Sequence, residues 1–62
     1  MSEREYKVTV WGKPHAVTVY QKSKSVWEAV GHYMEETIRV TDRSAGSAIK
    51  RWKSAATYKG NG

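Results

Sequence analysis

Two short stretches of the chain alternate strictly between apolar and polar positions. In Glu5–Trp11, Tyr6, Val8 and Val10 face one way and Lys7, Thr9 and Trp11 the other. In His15–Gln21, Val17 and Val19 stand against Ala16, Thr18 and Tyr20. A period of two with β-branched residues predicts half-buried strands. Between them, Trp11-Gly12-Lys13-Pro14 is rich in turn formers. A four-residue loop there pairs Val10 with His15, Val8 with Val17 and Tyr6 with Val19. That register collects Tyr6, Val8, Val10, Val17 and Val19 on one face, as a half-buried hairpin requires. A two-residue Gly12-Lys13 turn would ask Pro14 for a backbone N–H it does not have.

The stretch 22–41 carries two conflicting signals. Ser25-Val26-Trp27-Glu28 fits a helix capping box, and Val26, Val30, Tyr33 and Met34 recur at helical spacing. Against a helix, Gly31 would sit in its middle at a cost of about 1 kcal/mol relative to Ala. A helix running to Glu36 would also leave almost no loop before Ile38-Arg39-Val40-Thr41, which reads as a strand. The strand reading is preferred. Trp27, Ala29, Gly31 and Tyr33 then line one face, Met34–Thr37 form the turn, and Ile38 and Val40 continue the core face. Lys22-Ser23-Lys24-Ser25 becomes the polar loop after the second strand.

The C-terminal pattern changes period. Ala45, Ala48, Ile49, Trp52 and Ala56 recur at three and four, which makes one apolar helical stripe. Ser44 or Ser47 can cap its start and Gly60 its end. Lys50, Arg51 and Lys53 fall off the stripe, and Lys59 suits the negative end of the helix dipole. The predicted fold class is α+β: an antiparallel meander of about four strands with one C-terminal amphipathic helix packed on it. Residues 1–62 form a single small domain, with 1–4 and 60–62 expected to fray.

Composition narrows the picture further. A chain of 62 residues without Cys has neither a disulfide staple nor a thiolate ligand. Its stability must come from a thin core, to which the three Trp and four Tyr are the main candidates, or from dimerisation. No stretch approaches the roughly 18 apolar residues of a membrane span, and the polar start lacks a signal-peptide core. The expectation is a cytoplasmic protein with no membrane partner.

Charge is distributed unevenly. Residues 1–42 hold as many acids as bases, so the whole excess of +5 comes from Arg43, Lys50, Arg51, Lys53 and Lys59. Such asymmetry points toward a polyanion such as DNA or RNA. Arg43 also precedes the helix start, where open amides and the dipole favour an anion.

Catalytic chemistry is not legible. His15 and His32 lie in separate elements with no ligand-spaced third residue, so neither metal nor cofactor is expected. The adjacent Glu35 and Glu36 point apart and do not make an acid–base pair. No serine sits in a nucleophile elbow and no glycine motif cradles phosphate. The expectation is a protein that is not an enzyme. One constellation remains: Lys7, Thr9, Trp11, Thr18, Tyr20 and Lys22 share the hairpin face opposite Val8 and Val17, joined by Arg39 and Thr41 if a fourth strand forms. Cations for phosphates, hydroxyls for hydrogen bonds and rings for stacking suit a nucleic acid.

A resemblance rests on Val26-Trp27-Glu28-Ala29-Val30-Gly31, on Ile38-Arg39-Val40 and on the helix Ala48-Ile49-Lys50-Arg51-Trp52-Lys53-Ser54-Ala55-Ala56. Over residues 26–56 the chain resembles the DNA-binding domains of plant ethylene-response factors and phage integrase arms. Those lay a three-stranded sheet in the major groove and back it with a helix. The sheet-then-helix end is also similar to that of the double-stranded RNA-binding domain, though its first helix has no counterpart here. The chain looks like small uncharacterised bacterial proteins as well, which brings no function with it. The resemblance implies nucleic-acid binding and transfers no individual site. The expected function is a small non-catalytic nucleic-acid-binding module. Its candidate contacts are Arg43, Lys50, Arg51, Lys53, Lys7, Trp11, Tyr20, Lys22 and Arg39. The alternative is a protein-interaction or homodimerising module that presents its Trp and Tyr to another polypeptide.

Overall fold

The computed structural model describes residues 3–61, with side chains through Lys59. Four strands follow one another, β1 (Glu3–Val10), β2 (Lys13–Ser23), β3 (Val26–Tyr33) and β4 (Glu36–Asp42), and the helix α1 (Ala45–Asn61) closes the chain. The strands form one antiparallel sheet in the order β1-β2-β3-β4. This is the α+β meander with a C-terminal helix that the two periodicities predict.

The turns are tighter than expected. Trp11 and Gly12 alone join β1 to β2, and Met34 and Glu35 alone join β3 to β4. All four residues have positive φ, at 52°, 77°, 52° and 65°. Two consecutive left-handed residues are the mark of a type I′ hairpin, whose twist matches that of the strands. Val10 therefore pairs with Lys13, Val8 with His15 and Tyr6 with Val17. The register differs by two from the four-residue loop, and a shift of two leaves every side chain on its face. Pro14 is accommodated opposite Thr9. That pair adjoins the hairpin's closing pair, and in an alternating ladder it makes no hydrogen bonds. Thr37 belongs to β4, opposite His32, rather than to a turn. Likewise β2 continues through Ser23, with a register shift between Gln21 and Ser23, and turns on Lys24 and Ser25.

Glu3 and Arg4, expected to fray, pair with Tyr20 and Val19. The helix passes through Gly60 to Asn61, so Gly60 does not terminate it. Residues 1, 2 and 62 lie outside the described residues.

One face of the sheet is covered by α1. The core comprises Val8, Val10, Val17, Val19, Ala29, Tyr33 and Ile38 from the sheet and Ala48, Trp52 and Ala56 from the helix. Trp52 is its centre, with none of its surface exposed. Its indole N–H donates to the Ile38 carbonyl at 3.1 Å, so the one polar atom of the ring is satisfied inside the core. The ring lies against Gly31, where an added Cβ would come within 2.8 Å of Cζ2. Gly31, awkward in a helix, is in a strand the gap into which the indole fits. Ser44 caps α1: its Oγ accepts the Ser47 N–H at 3.2 Å and its carbonyl the Ala48 N–H at 2.9 Å.

Candidate nucleic-acid interface

The sheet register sends alternate residues to the face away from the helix. Lys7, Thr9, Thr18, Tyr20, Val30, Arg39 and Thr41 all lie there. At its centre is Glu28, between Tyr20 on β2 and Thr41 on β4, and only 1% exposed. The Tyr20 hydroxyl donates to Glu28 Oε1. Lys22 Nζ lies 3.3 Å from Oε1 and Arg39 Nε 3.3 Å from Oε2. Oε2 receives no hydrogen bond, so Arg39 is a charge neighbour whose N–H points elsewhere. Lys22 and Arg39 are themselves largely exposed. The cover over the carboxylate is thus one side chain deep.

This arrangement sets the ionisation of the pair. The hydrogen bond from Tyr20, and then Lys22 and Arg39, hold the Glu28 carboxyl below its ordinary range against the opposing effect of burial. The same bond, with burial and the neighbouring negative charge, pushes the Tyr20 phenol up. Three of the candidate contacts, Tyr20, Lys22 and Arg39, are therefore assembled round an internal anion. Across the face Lys7, Lys22 and Arg39 are matched by Glu3, Glu5 and Glu28. The sheet face has no excess charge to offer a polyanion.

Trp11 is not on this face. Its indole N–H donates at 3.3 Å to the carbonyl of Thr57, in the last part of α1. The type I′ turn places the ring at the end of the molecule on the helix side, 61% exposed. With Val10, Lys13, His15, Tyr33 and Met34 it lines a cleft of about 390 Å³ between the two hairpin turns.

The C-terminal cations lie on the opposite side of the molecule from the sheet face. The tertiary structure brings them acids that the local sequence lacks. Asp42 Oδ2 lies 3.2 Å from Arg51 Nε, and its Oδ1 accepts the Arg43 backbone N–H at 2.7 Å. These two bonds, the backbone one first, hold the Asp42 carboxyl below its ordinary range. Asp42 thus takes the Arg43 amide just ahead of the cap, while Ser44 Oγ takes the Ser47 amide of the first helical turn. Lys59 pairs with Glu36. Among the described residues, Arg43, Lys50 and Lys53 form no side-chain ion pair. Lys50 and Arg51 rim a shallow depression with Asp42, Ser47 and Ser54 on the outward side of α1. Lys53 is three residues from Lys50, hence its neighbour on the helix surface.

The nine candidate contacts therefore fall into three places: Lys7, Tyr20, Lys22 and Arg39 on the sheet, Trp11 at the turn end, and Arg43, Lys50, Arg51 and Lys53 on or beside the helix. Glu28 was missed as a site residue because nothing in its local sequence marks a buried acid. The signal available was the pairing it makes as a strand residue with Tyr20, two positions from Lys22. Comparison of the chain with protein-family models, with curated proteins and with solved structures finds no match.

Proposed function

We propose that the protein is a non-catalytic nucleic-acid-binding module whose binding surface is the outward side of α1. The observation that carries this reading is the pair Lys50 and Lys53. Both are exposed, neighbours on one helix and without an acidic partner among the described residues. Ser47 and Ser54 flank them with hydroxyls that can hydrogen-bond phosphate oxygens. Arg51 stands at the rim, where a phosphate would compete with Asp42. The sheet face, balanced in charge and organised round Glu28, is secondary to this surface.

The test is a salt titration of binding to duplex and single-stranded DNA and RNA. Polyanion binding weakens steeply with salt because condensed counterions are released. Lys50→Glu with Lys53→Glu in one protein leaves the core untouched. It is expected to weaken binding at low salt and to reduce the slope by about two, one for each phosphate that is no longer neutralised. A folded double mutant that binds as the wild type does, or a wild type that binds neither DNA nor RNA, would refute the reading. The exposed Trp11 and Met34 then favour a protein-interaction or homodimerising module, whose association depends weakly on salt.

A further inference from the structure

The cleft between the two hairpin turns combines features that the fold does not require. Asn, Asp and Gly adopt the left-handed positions of a type I′ turn at least cost. Here the first such position of each turn holds a large apolar residue, Trp11 and Met34, both at φ 52°. Both are mostly exposed, Met34 by 67%, so burial in the core does not offset the strained backbone. Non-glycine residues held in this region cluster at functional sites. Both side chains line the same cleft, whose volume of about 390 Å³ lies in the range of small-ligand sites. The indole of Trp11 is fixed at its edge by Thr57. His15 also lines the cleft, with its ring 4.9 Å from that of Tyr33, and its buried Nε2 has no hydrogen-bond partner.

We infer that this cleft takes one unpaired base of a single-stranded nucleic acid, an inference that rests on the nucleic-acid reading above. A ring fixed at its edge is a stacking shelf, and stacking on Trp tolerates any base because every base has a π-face. The polarisable, adaptable thioether of Met34 closes the other side. His15 and Tyr33 complete the lining beside the two side chains. Lys13 at the rim meets a phosphate. The helix surface leads toward the cleft in sequence: Lys53 lies one helical turn before Thr57, whose carbonyl holds the indole. A strand whose phosphates follow Lys50 and Lys53 is led to the shelf. A duplex keeps its bases stacked within itself and cannot fill the cleft without unstacking one.

The test is fluorescence anisotropy at low salt with a labelled oligothymidylate and a duplex of equal length. The wild type is expected to prefer the single strand. Trp11→Asn places a residue type that the turn favours and removes the shelf. It is expected to fold, as judged by circular dichroism, and to bind the single strand roughly 5- to 150-fold more weakly with duplex affinity unchanged. Lys50→Glu with Lys53→Glu weakens both ligands. A folded Trp11→Asn that binds the single strand like the wild type, or a wild type without preference, overturns the cleft while leaving the helix surface standing. A wild type that binds neither form removes the nucleic-acid reading and the cleft with it. Should Trp11→Asn not fold, the indole N–H resonances of the wild type decide. That of Trp11 shifts on adding the oligothymidylate and that of Trp52 stays, whereas an unmoved Trp11 at saturation overturns the inference. Salt-independent self-association abolished by Trp11→Asn overturns it in favour of a second copy of the chain.

Discussion

Replacing Gly31 with Ala is expected to destabilise the domain, although Gly→Ala in an extended strand ordinarily helps. The benefit is real: Ala restricts the unfolded chain and contributes about 0.4–1 kcal/mol where the native backbone accepts it. The opposing effect is steric. The new Cβ would stand 2.8 Å from Trp52 Cζ2, 3.0 Å from Trp52 Cε2 and 3.0 Å from the Ala16 carbonyl oxygen. Carbon atoms in good contact are about 3.5–4.0 Å apart. Neither neighbour can withdraw easily. The indole is fully buried and held by its bond to Ile38, and the Ala16 carbonyl is backbone of an inner strand. Overpacking of this kind costs about 1–3 kcal/mol, so the net loss is about 1–2 kcal/mol. For a domain of this size each kcal/mol moves Tm by about 4–8 °C, which predicts a fall of about 5–15 °C by circular dichroism. Trp52→Phe provides the control, since a smaller ring should relieve the clash and reduce the penalty of Gly31→Ala in that background. An unchanged or higher Tm for Gly31→Ala would show that the indole is not seated on Gly31.

Trp52→Ala should leave no cooperative melt at all, because truncating a buried Trp costs about 3–5 kcal/mol, comparable with what so small a core supplies. Ser44→Ala removes the helix cap and should cost about 1 kcal/mol in urea unfolding; no change would mean that another group caps α1. Met34→Asn should raise Tm by relieving a left-handed Met, a gain of about 1 kcal/mol, and a lower Tm would show that Met34 contributes packing. Stability should also depend on pH at both extremes. Glu28 and Asp42 titrate below their ordinary values when folded, so their contribution is complete above about pH 4–5 and is lost as pH falls through the folded values. Tyr20 titrates above its ordinary value, so its contribution holds below about pH 10 and is lost as pH rises further. Glu28→Gln should flatten both limbs, and a Tyr20 absorbance titration unmoved by that substitution would refute the coupling.

Much of the fold was legible because each element buries one face. Tyr6, Val8 and Val10 against Lys7 and Thr9 admit a strand and nothing else, and the stripe through Ala48, Trp52 and Ala56 admits only a helix. Gly31 and the short connection to Ile38 decided correctly between strand and helix for residues 26–33. Turn lengths were less legible. Trp11-Gly12 and Met34-Glu35 lack the Asn or Asp that usually announces a type I′ turn, so propensity favoured longer loops. The faces nonetheless came out right, since a register error of two preserves the alternation of side chains.

The candidate site divides in the same way. Sequence alone determined that the excess positive charge belongs to the last third of the chain and that the helix carries Lys50, Arg51 and Lys53 off its apolar stripe. Those are properties of local order and period. Only the tertiary structure decided which of those cations keep an acidic partner. Asp42 reaches Arg51 and Glu36 reaches Lys59 across the β4–α1 packing, while Lys50 and Lys53 are left to solvent. It also gathered Tyr20, Lys22 and Arg39 round Glu28, and turned Trp11 from the sheet face to the helix end. The physical reason is the range of the interactions. Hydrophobic period is written within a few neighbouring residues, whereas an ion pair or a hydrogen bond needs its two partners within a few ångströms of each other, and which residues share that space is fixed only once sheet and helix have packed.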